Sequence, residues 1–256
     1  MKIVRYQDPS TSTPAYGIVE GETLFAATGE LFGELEKGAE IGPLANATIL
    51  APVDPGKIVC IGMNYLKHVT EIDPTRTVPT EPVIFMKPQS AIIGPGETIR
   101  IANPENPTHY EAELVVVIGK TAKQVSEDEA LDYVFGYTSG NDVSDRTFQA
   151  KDGQWIRAKG YDTYLPLGPS IVTDLDPANT PVVSRLNGEV KQSDNTDGLI
   201  FNVPFLVSFL SNVMTLNPGD LIMTGTPFGV GELTAGDTIE VEVGNIGVLG
   251  NPVANR

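Results

Sequence analysis

The chain has 256 residues, of which 41% are hydrophobic and 20% are charged, a composition typical of a folded globular protein. It carries 33 acidic and 17 basic residues, giving a formal net charge of −16, which disfavours binding to nucleic acid or to anionic lipid. The single cysteine, Cys60, excludes an internal disulfide. No apolar run is long enough for a signal peptide or a membrane span, so the sequence predicts a cytoplasmic protein without a membrane partner.

Residues 1–52 are predicted to form a small N-terminal domain, and residues 53–256 a larger catalytic domain. The predicted elements of the small domain are a strand at Lys2–Tyr6, a hairpin over Tyr16–Ala26 and a short helix at Glu30–Lys37. The segment A-P-V-D-P-G, residues 51–56, marks the boundary because proline and glycine interrupt regular structure.

Beyond the boundary, the sequence predicts many short strands and few helices. The predicted strands are Lys57–Gly62, Val83–Lys87, Thr98–Ile101, Tyr110–Ile118, Val134–Asp142, Ser170–Asp174, Val182–Asn187, Asp220–Thr224 and Thr238–Val243. Asn187-Gly188 predicts a two-residue hairpin turn, and helices are expected after a capping box at Ser126 and Glu129 and over Pro204–Met214. Because strands and helices do not alternate regularly, we expect a mainly β (α+β) fold with a rolled, barrel-like sheet and not a doubly wound parallel sheet.

Two glutamates lie at the start of a strand that is apolar on both faces. Residues two apart in a strand face the same way, so Glu111 and Glu113 share one face, and the run L-V-V-V-I that follows predicts burial on both sides. Neighbouring, partly desolvated carboxylates raise the pKa of one of them unless a cation intervenes. A hard, oxygen-binding ion is the simplest remedy, and a solvated strand end is the alternative.

Several other kinds of site lack their residues. The glycine-rich run G-T-P-F-G-V-G, residues 225–231, has neither the dinucleotide-binding nor the P-loop spacing, and no G-x-S-x-G motif occurs. Two histidines and one cysteine cannot fill a zinc site of the usual kind. Oxygen ligands therefore favour Mg²⁺ or Mn²⁺.

His68 and Glu71 are three residues apart, which places both side chains on one face of a short helix and lets the carboxylate orient the imidazole. This spacing predicts a general base. The surrounding segment, Lys67–Pro82, is rich in proline and threonine and predicts a mobile surface loop that brings the base onto bound substrate. The alternative is a solvated histidine beside a glutamate.

Five segments, in this order, resemble the fumarylacetoacetate hydrolase family, and the likeness covers residues 57–253. They are I-V-C-I-G-M-N-Y-L-K-H-V-T-E, E-P-V-I-F-M-K-P, H-Y-E-A-E-L-V-V-V-I-G, the stretch from N-D-V-S-D-R to Y-L-P-L-G-P, and L-N-P-G-D-L-I-M-T-G-T-P-F-G-V-G. The resemblance implies a β-roll catalytic domain, a homodimer, and Mg²⁺ or Mn²⁺ held by three carboxylates. These carboxylates correspond to Glu111, Glu113 and Asp142 of this chain.

The resemblance also implies the other site residues. Lys159 corresponds to the active-site lysine, and His68 with Glu71 to the dyad of the family's lid, while Asn64, Arg146 and Thr226 are the expected substrate contacts. One position departs from the pattern, because Met63 stands where many relatives have arginine, so a contact to a substrate carboxylate is expected to be missing. Asp145 is either an outer carboxylate of the metal site or a helix cap.

Together these residues predict a small anionic 2-oxo acid as substrate. The expected reaction is metal-dependent cleavage of a C–C bond through an enolate stabilised by the ion, either acylpyruvate hydrolysis or oxaloacetate decarboxylation. The presence of His68 and Glu71 favours cleavage over the first alternative, isomerisation or tautomerisation of a 2-hydroxy-dienedioate. The second alternative is a β protein that binds metal without catalysis.

Overall fold

A computed structural model describes residues 1–72, 75 and 77–256 of the chain. In this part of the chain strands dominate, as the sequence predicts. The strands of the N-terminal region are Lys2–Gln7, Pro14–Glu20, Thr23–Gly29, Leu35–Pro43 and Ile49–Leu50. The later strands are Ile58–Gly62, Val83–Met86, Ile92–Ile93, Ile99–Ile101, Thr108–Tyr110, Ala112–Ile118, Val134–Asn141, Ser144–Asp145, Leu165–Val172, Pro181–Leu186, Glu189–Asn195, Leu221–Met223, Gly231–Glu232, Thr238–Val243 and Val248–Asn255.

Helices are few and short among the described residues. The α-helices are Leu66–Ile72, Arg146–Lys151, Ile156–Lys159 and Val203–Val213. Single 3₁₀ turns occur at Leu44–Asn46, Gln89–Ala91, Ala130–Tyr133 and Thr196–Gly198. None of the helices in the described ranges is both long and apolar enough to cross a membrane.

The strands form one twelve-stranded sheet, one five-stranded sheet and one three-stranded sheet. At the centre of the large sheet, Ala112–Ile118 pairs antiparallel with Val134–Asn141 on one side and Leu221–Met223 on the other. All seven residues of this central strand are buried, which confirms the prediction of burial on both faces. The largest apolar cluster includes one face of this strand, the buried face of the helix Val203–Val213 and Val241 of the five-stranded sheet, while Val115 and Val117 on the other face belong to a second cluster.

The N-terminal strands extend the large sheet. Lys2–Gln7 pairs antiparallel with Leu165–Val172 of the catalytic region, and the hairpin Pro14–Glu20 and Thr23–Gly29 adds the next strands. The region thus joins the main sheet through a single strand pairing. The predicted boundary at residue 52 stays a prediction.

The predicted helix at Glu30–Lys37 is wrong. Leu35–Pro43 is instead a strand that pairs with Thr23–Gly29. The apolar residues before it lie in a turn, where the ring of Phe32 packs edge-on against the ring of Phe135, with 5.1 Å between the ring centroids. Gly33 lowers the helix propensity of Glu30–Lys37, Gly38 directly follows it, and the neighbouring strand offers backbone partners that a short helix would not have.

Two other helix predictions had different outcomes. Val203–Val213 confirms the predicted helix, and the Asn202 side chain caps it by accepting a hydrogen bond from Phe205 N. At the predicted capping box, Ser126 Oγ donates to Glu129 Oε2 at 2.6 Å, but only a 3₁₀ turn follows. The turn ends there because the strand Val134–Asn141 begins directly after it.

Two predictions about local backbone geometry also differ in outcome. The Asn187-Gly188 turn is confirmed, since Leu186 pairs with Glu189 and both turn residues have positive φ. The predicted strand Tyr110–Ile118 is broken at Glu111, because Thr108–Tyr110 belongs to the three-stranded sheet and Ala112–Ile118 to the large sheet. Glu111 therefore lies where the chain passes from one sheet to the other.

Candidate metal centre and active site

Three buried carboxylates converge at the end of the central strand. One oxygen from each of Glu111, Glu113 and Asp142 lies within 4.8 Å of the others, and the three residues are at most 4% exposed. The backbone locks two of them together, because Asp142 N donates to Glu111 O at 2.9 Å. Asn141 Oδ1 also accepts from Glu111 N at 2.9 Å. The structure thus brings together the three residues that the family resemblance assigns to the metal.

Three basic side chains surround these carboxylates. Lys159 Nζ lies 2.8 Å from Glu111 Oε2 and 2.6 Å from Asp142 Oδ2. Lys87 Nζ lies 2.6 Å from Asp142 Oδ1, and Arg146 Nη2 lies 2.6 Å from Glu111 Oε1. The Arg146 contact is an ion pair without hydrogen-bond alignment. Glu111 and Asp142 are therefore each paired with two cations.

The pKa values of the two glutamates move in opposite directions. Burial raises the pKa of Glu111, but the nearby Lys159 and Arg146 outweigh burial and hold it well below its usual range. The pKa of Glu113 is raised well above its usual range by burial and by the negative charges of Asp142 and Glu111. Burial lowers the pKa of Lys159, but the negative charges of Asp142 and Glu111 outweigh burial, so the pKa of Lys159 is raised. Lys159 therefore remains an ammonium.

Glu113 tests whether a metal fits this site. Among the described residues it makes no ion pair, and its only hydrogen bond is from Gly225 N to Oε2 at 2.8 Å. A buried carboxylate beside two others, without a cation of its own, is stable only when it is protonated or bound to a positive ion. All the donors are carboxylate oxygens, which suit Mg²⁺ and Mn²⁺. The residues thus fit one hard divalent ion.

The predicted general base, His68, lines a cavity together with the three carboxylates. His68 and Glu71 are on the helix Leu66–Ile72, and His68 Nδ1 is 2.7 Å from Glu71 Oε2. Glu71 Oε1 accepts a second hydrogen bond from Gly229 N at 2.8 Å. Val69 of this helix is buried, so the first part of the predicted loop Lys67–Pro82 is a packed helix. Asp73, Pro74 and Arg76 of that loop lie outside the described residues.

A cavity of about 500 Å³ connects the base and the carboxylates. Its lining includes His68, the three carboxylates, Lys159 and Thr226. Arg146 and Gln149 of the helix Arg146–Lys151 form another wall, and Arg146 Nη1 donates to Gln149 Oε1 at 2.6 Å. A small polar molecule in this cavity would meet the carboxylate site, the lysine and the base together.

Two of the expected substrate contacts differ in their placement. Thr226 lies in the cavity wall, where its Oγ1 accepts a hydrogen bond from Gln192 Nε2 at 2.8 Å. Asn64 is fully buried and does not line the cavity. Its amide donates to Phe201 O and Thr224 O and accepts from Phe201 N, so its hydrogen bonds all join backbone segments.

Asp145 is a helix cap. Its Oδ1 accepts from Phe148 N at 3.0 Å, and its carboxylate also accepts hydrogen bonds from the side chains of Asn103 and Asn106. It thereby fixes the start of the helix that carries Arg146. Met63 lines the cavity with a left-handed backbone, φ 57°, at the position where an arginine was expected from the family pattern.

Sequence reasoning missed two residues of the site. Lys87 is in the segment E-P-V-I-F-M-K-P, but nothing in its neighbours indicated that its ammonium contacts Asp142. His109 lines the cavity, and burial together with the Arg146 charge lowers its pKa to about 4. The position of His109 two residues before Glu111 on the same extended segment was the one available signal.

Comparison with known proteins defines the family. Residues 57–254 match the family model described as "Fumarylacetoacetate (FAA) hydrolase C-terminal", and residues 1–52 match "Rv2993c-like, N-terminal". The chain therefore belongs to the fumarylacetoacetate hydrolase family, as its sequence motifs predict.

Among similar proteins, Protein Rv2993c of Mycobacterium tuberculosis is 48% identical over 217 residues, covering 84% of this chain and 81% of the relative. The mitochondrial oxaloacetate tautomerase fahd2 of Xenopus laevis is 42% identical over 232 residues, covering 86% of this chain and 72% of the relative. Relatives in this family include enzymes that carry tautomerase, isomerase and hydrolase names.

Two solved structures share the fold over the full chain. The 2-hydroxyhepta-2,4-diene-1,7-dioate isomerase from Mycobacterium marinum has a TM-score of 0.91 and 43% identity, covering 100% of this chain and 99% of that one. Maleylpyruvate hydrolase from Sphingobium sp. SYK-6, in complex with manganese(II) and pyruvate, has a TM-score of 0.82 and 29% identity, with the same coverage. The predicted β fold of this family is therefore confirmed, and a divalent-metal site is supported.

Glu113→Gln tests the metal centre without an activity assay. In metal-free protein we expect the free energy of unfolding to rise by about 1–3 kcal/mol, because folding no longer has to hold a buried carboxyl in its protonated form at neutral pH. Folding raises the pKa of Glu113, so its stabilising contribution is present below the unfolded value of ~4.3 and is lost as the pH rises through the folded value. The gain should therefore be larger at pH 7 than near pH 4.

Thermal unfolding with EDTA at pH 4 and pH 7 measures the gain in stability, and unfolding with Mn²⁺ measures the contribution of the metal. Wild-type protein should be stabilised by Mn²⁺, and Glu113→Gln should lose most of that stabilisation. Glu127→Gln, at an exposed position, is the control and should behave as wild type. A Mn²⁺-dependent shift that survives in Glu113→Gln would contradict the assignment of this carboxylate to the metal.

Asn64→Ala distinguishes a structural role from substrate binding. The change leaves two backbone carbonyls and one N–H without their partner, so we expect a loss of about 1–3 kcal/mol in the free energy of unfolding. Denaturant unfolding measures this loss, and Asn212→Ala, which removes an exposed amide, is the control. A rise in KM at normal stability would instead show that Asn64 binds substrate.

Proposed function

We propose that this chain catalyses a metal-dependent proton transfer that interconverts the enol and keto forms of a small dianionic 2-oxo acid, of which oxaloacetate is the simplest. The observation that carries this proposal is that His68, which Glu71 holds through Nδ1, lines one cavity with Lys159 and the three carboxylates. Proteins 42–43% identical to this chain bear the names oxaloacetate tautomerase and 2-hydroxyhepta-2,4-diene-1,7-dioate isomerase, and these names support proton transfer.

The charges at the metal site favour an anionic substrate. The three carboxylates of the site are matched by three buried or half-buried cations, the side chains of Lys87, Arg146 and Lys159, so these six side chains sum to zero when all are ionised. A divalent ion held by Glu111, Glu113 and Asp142 would add two positive charges, and the Glu71 carboxylate beside His68 one negative charge, so the site as a whole stays positive. A carboxylate of the substrate balances that excess. A second carboxylate on the substrate is supported by the diacids in the names of the relatives that are 42–43% identical.

The dyad has the protonation pattern of a base. An ionised carboxylate can only accept hydrogen bonds, so His68 Nδ1 must carry the proton that it shares with Glu71. In the neutral imidazole, Nε2 then carries no proton and can take one from C3 of the substrate or return it. Gly229 N fixes the other oxygen of Glu71, so the imidazole is held in one orientation.

Lys159 stabilises the charge that proton removal creates. When bound, the metal supplies positive charge to the carboxylate and 2-oxo oxygens of such a substrate. Two of the three ammonium N–H bonds of Lys159 are directed to Glu111 and Asp142. The third can donate to the 2-oxo oxygen, which becomes more negative as the enolate forms.

Cleavage of a C–C bond, the reaction favoured by the sequence, is the second candidate. Maleylpyruvate hydrolase, 29% identical to this chain, is the relative that supports it. The same enolate would result if water activated by His68 attacked a ketone at C4, or if a carboxylate at C4 left as CO₂. We favour proton transfer because the tautomerase and the isomerase are 42% and 43% identical to this chain, whereas the hydrolase is 29% identical.

Other predicted properties belong to the same proposal. Mg²⁺ and Mn²⁺ are both compatible with an all-carboxylate site, and the manganese in the maleylpyruvate hydrolase complex supports a divalent ion. The homodimer implied by the family and the cytoplasmic location expected from the sequence stay predictions.

Ketonisation of freshly dissolved enol-oxaloacetate, followed by ultraviolet absorbance, tests the proposal. We expect acceleration that requires Mg²⁺ or Mn²⁺, and a decrease in kcat of about 10²–10⁴-fold in His68→Ala, the range typical of general acid–base catalysis. Lys67→Ala is the matched control, because Lys67 is exposed on the same helix.

Pyruvate release from oxaloacetate and from acetylpyruvate, measured in parallel, tests the second candidate. Faster turnover by pyruvate release than by ketonisation would make cleavage the main reaction. Metal-independent ketonisation at the uncatalysed rate, with His68→Ala equal to wild type, would refute the proposed proton transfer.

A further inference from the structure

Lys87 is a buried ammonium that the proposed reaction does not use. It follows the strand Val83–Met86, and its side chain is fully buried. Its Nζ donates to Asp142 Oδ1 at 2.6 Å and to Val143 O at 3.2 Å. A buried lysine is costly unless it is paired and hydrogen-bonded, so this position needs a physical reason.

The reason is found in the two oxygens of Asp142. Oδ2 and Glu111 Oε2 both contact Lys159 Nζ, so Oδ2 is the oxygen on the Glu111 side of the cluster. Oδ1 is held by Lys87. With each oxygen bound to a different lysine, the carboxylate of Asp142 cannot rotate about its Cβ–Cγ bond without breaking a short ion pair.

The backbone segments that carry the two lysines pack against each other. Lys87 is followed by Pro88, which packs against Gly160 at the end of the helix Ile156–Lys159. A Cβ at position 160 would lie 3.1 Å from Pro88 Cδ and 2.6 Å from Ile156 O, so only glycine allows this approach. The turn after one lysine therefore fits closely against the residue after the other.

We propose that Lys87 is a positioning residue for the metal centre. It holds Asp142 so that Oδ2 faces the glutamates and the three carboxylates converge on one ion. The inference rests on the proposed metal-dependent function, but it concerns the geometry of one ligand and not the reaction. Removing a residue that hydrogen-bonds to a metal ligand without binding the metal itself typically weakens metal binding by about 10–100-fold.

Mn²⁺ binding to the full-length chain, measured by electron paramagnetic resonance of free Mn²⁺, tests this role. We expect Lys87→Met to weaken Mn²⁺ binding by about 10–100-fold. Lys87→Arg keeps a cation and a donor for Asp142 but cannot reproduce the compact ammonium, so its affinity should lie between wild type and Lys87→Met. If Lys87→Met does not fold, several-fold weaker binding by Lys87→Arg supports the role and wild-type affinity refutes it.

Lys57→Met is the matched control. Lys57 Nζ forms a comparable ion pair with the buried Asp220 at 2.6 Å, and neither residue lines the cavity, so this change should lower stability without changing Mn²⁺ affinity. Wild-type Mn²⁺ affinity in Lys87→Met would overturn the inference because Lys87 would then contribute nothing to the site, and tighter binding would overturn it because Lys87 would then only repel the ion. If wild-type protein binds Mn²⁺ but does not accelerate ketonisation, the proposed function fails while the role of Lys87 stands.

Discussion

The burial of three carboxylates within 4.8 Å of one another is the constraint on which this site depends. Like charges so close, with little water between them, repel strongly, and the energy must be recovered from cations in the protein or from a bound ion. Basic side chains of the chain form ion pairs with Glu111 and Asp142 and so recover part of this energy. Within the described residues, Glu113 has no such ion pair. This unequal compensation makes Glu113 the carboxylate that a bound divalent cation would stabilise most.

The same constraint explains why distant parts of the chain meet at this point. One glycine-rich loop contacts both a carboxylate and the base, because Gly225 N donates to Glu113 and Gly229 N donates to Glu71. Gly229 has φ 103°, and a Cβ there would lie 2.2 Å from Lys191 O, so the loop can take this path only with glycine. The position of the dyad is thus coupled to the position of a carboxylate through five residues of backbone.

How much of this could be predicted from the sequence depends on how local each signal is. The carboxylates Glu111 and Glu113 were predictable, because a strand apolar on both faces must be buried, and His68 with Glu71 follows from helical spacing. Lys87 was not, since its partner Asp142 is 55 residues away in the sequence and no local spacing relates the two. The N-terminal helix was misjudged because its apolar spacing also suits a turn that packs Phe32 on the core.

The site also explains how one family can contain tautomerases, isomerases and a hydrolase. Stabilising negative charge on the 2-oxo oxygen is a requirement that all these reactions share, and here Lys159 and the carboxylate-held ion would meet it. In the proposed mechanism, the reactions would differ in whether His68 Nε2 reaches a carbon-bound proton or a water molecule beside C4. Met63 and Arg146 line the same cavity and could contact the substrate there. The lining of the cavity would then set the specificity, while the charged cluster would supply the stabilisation that these reactions share.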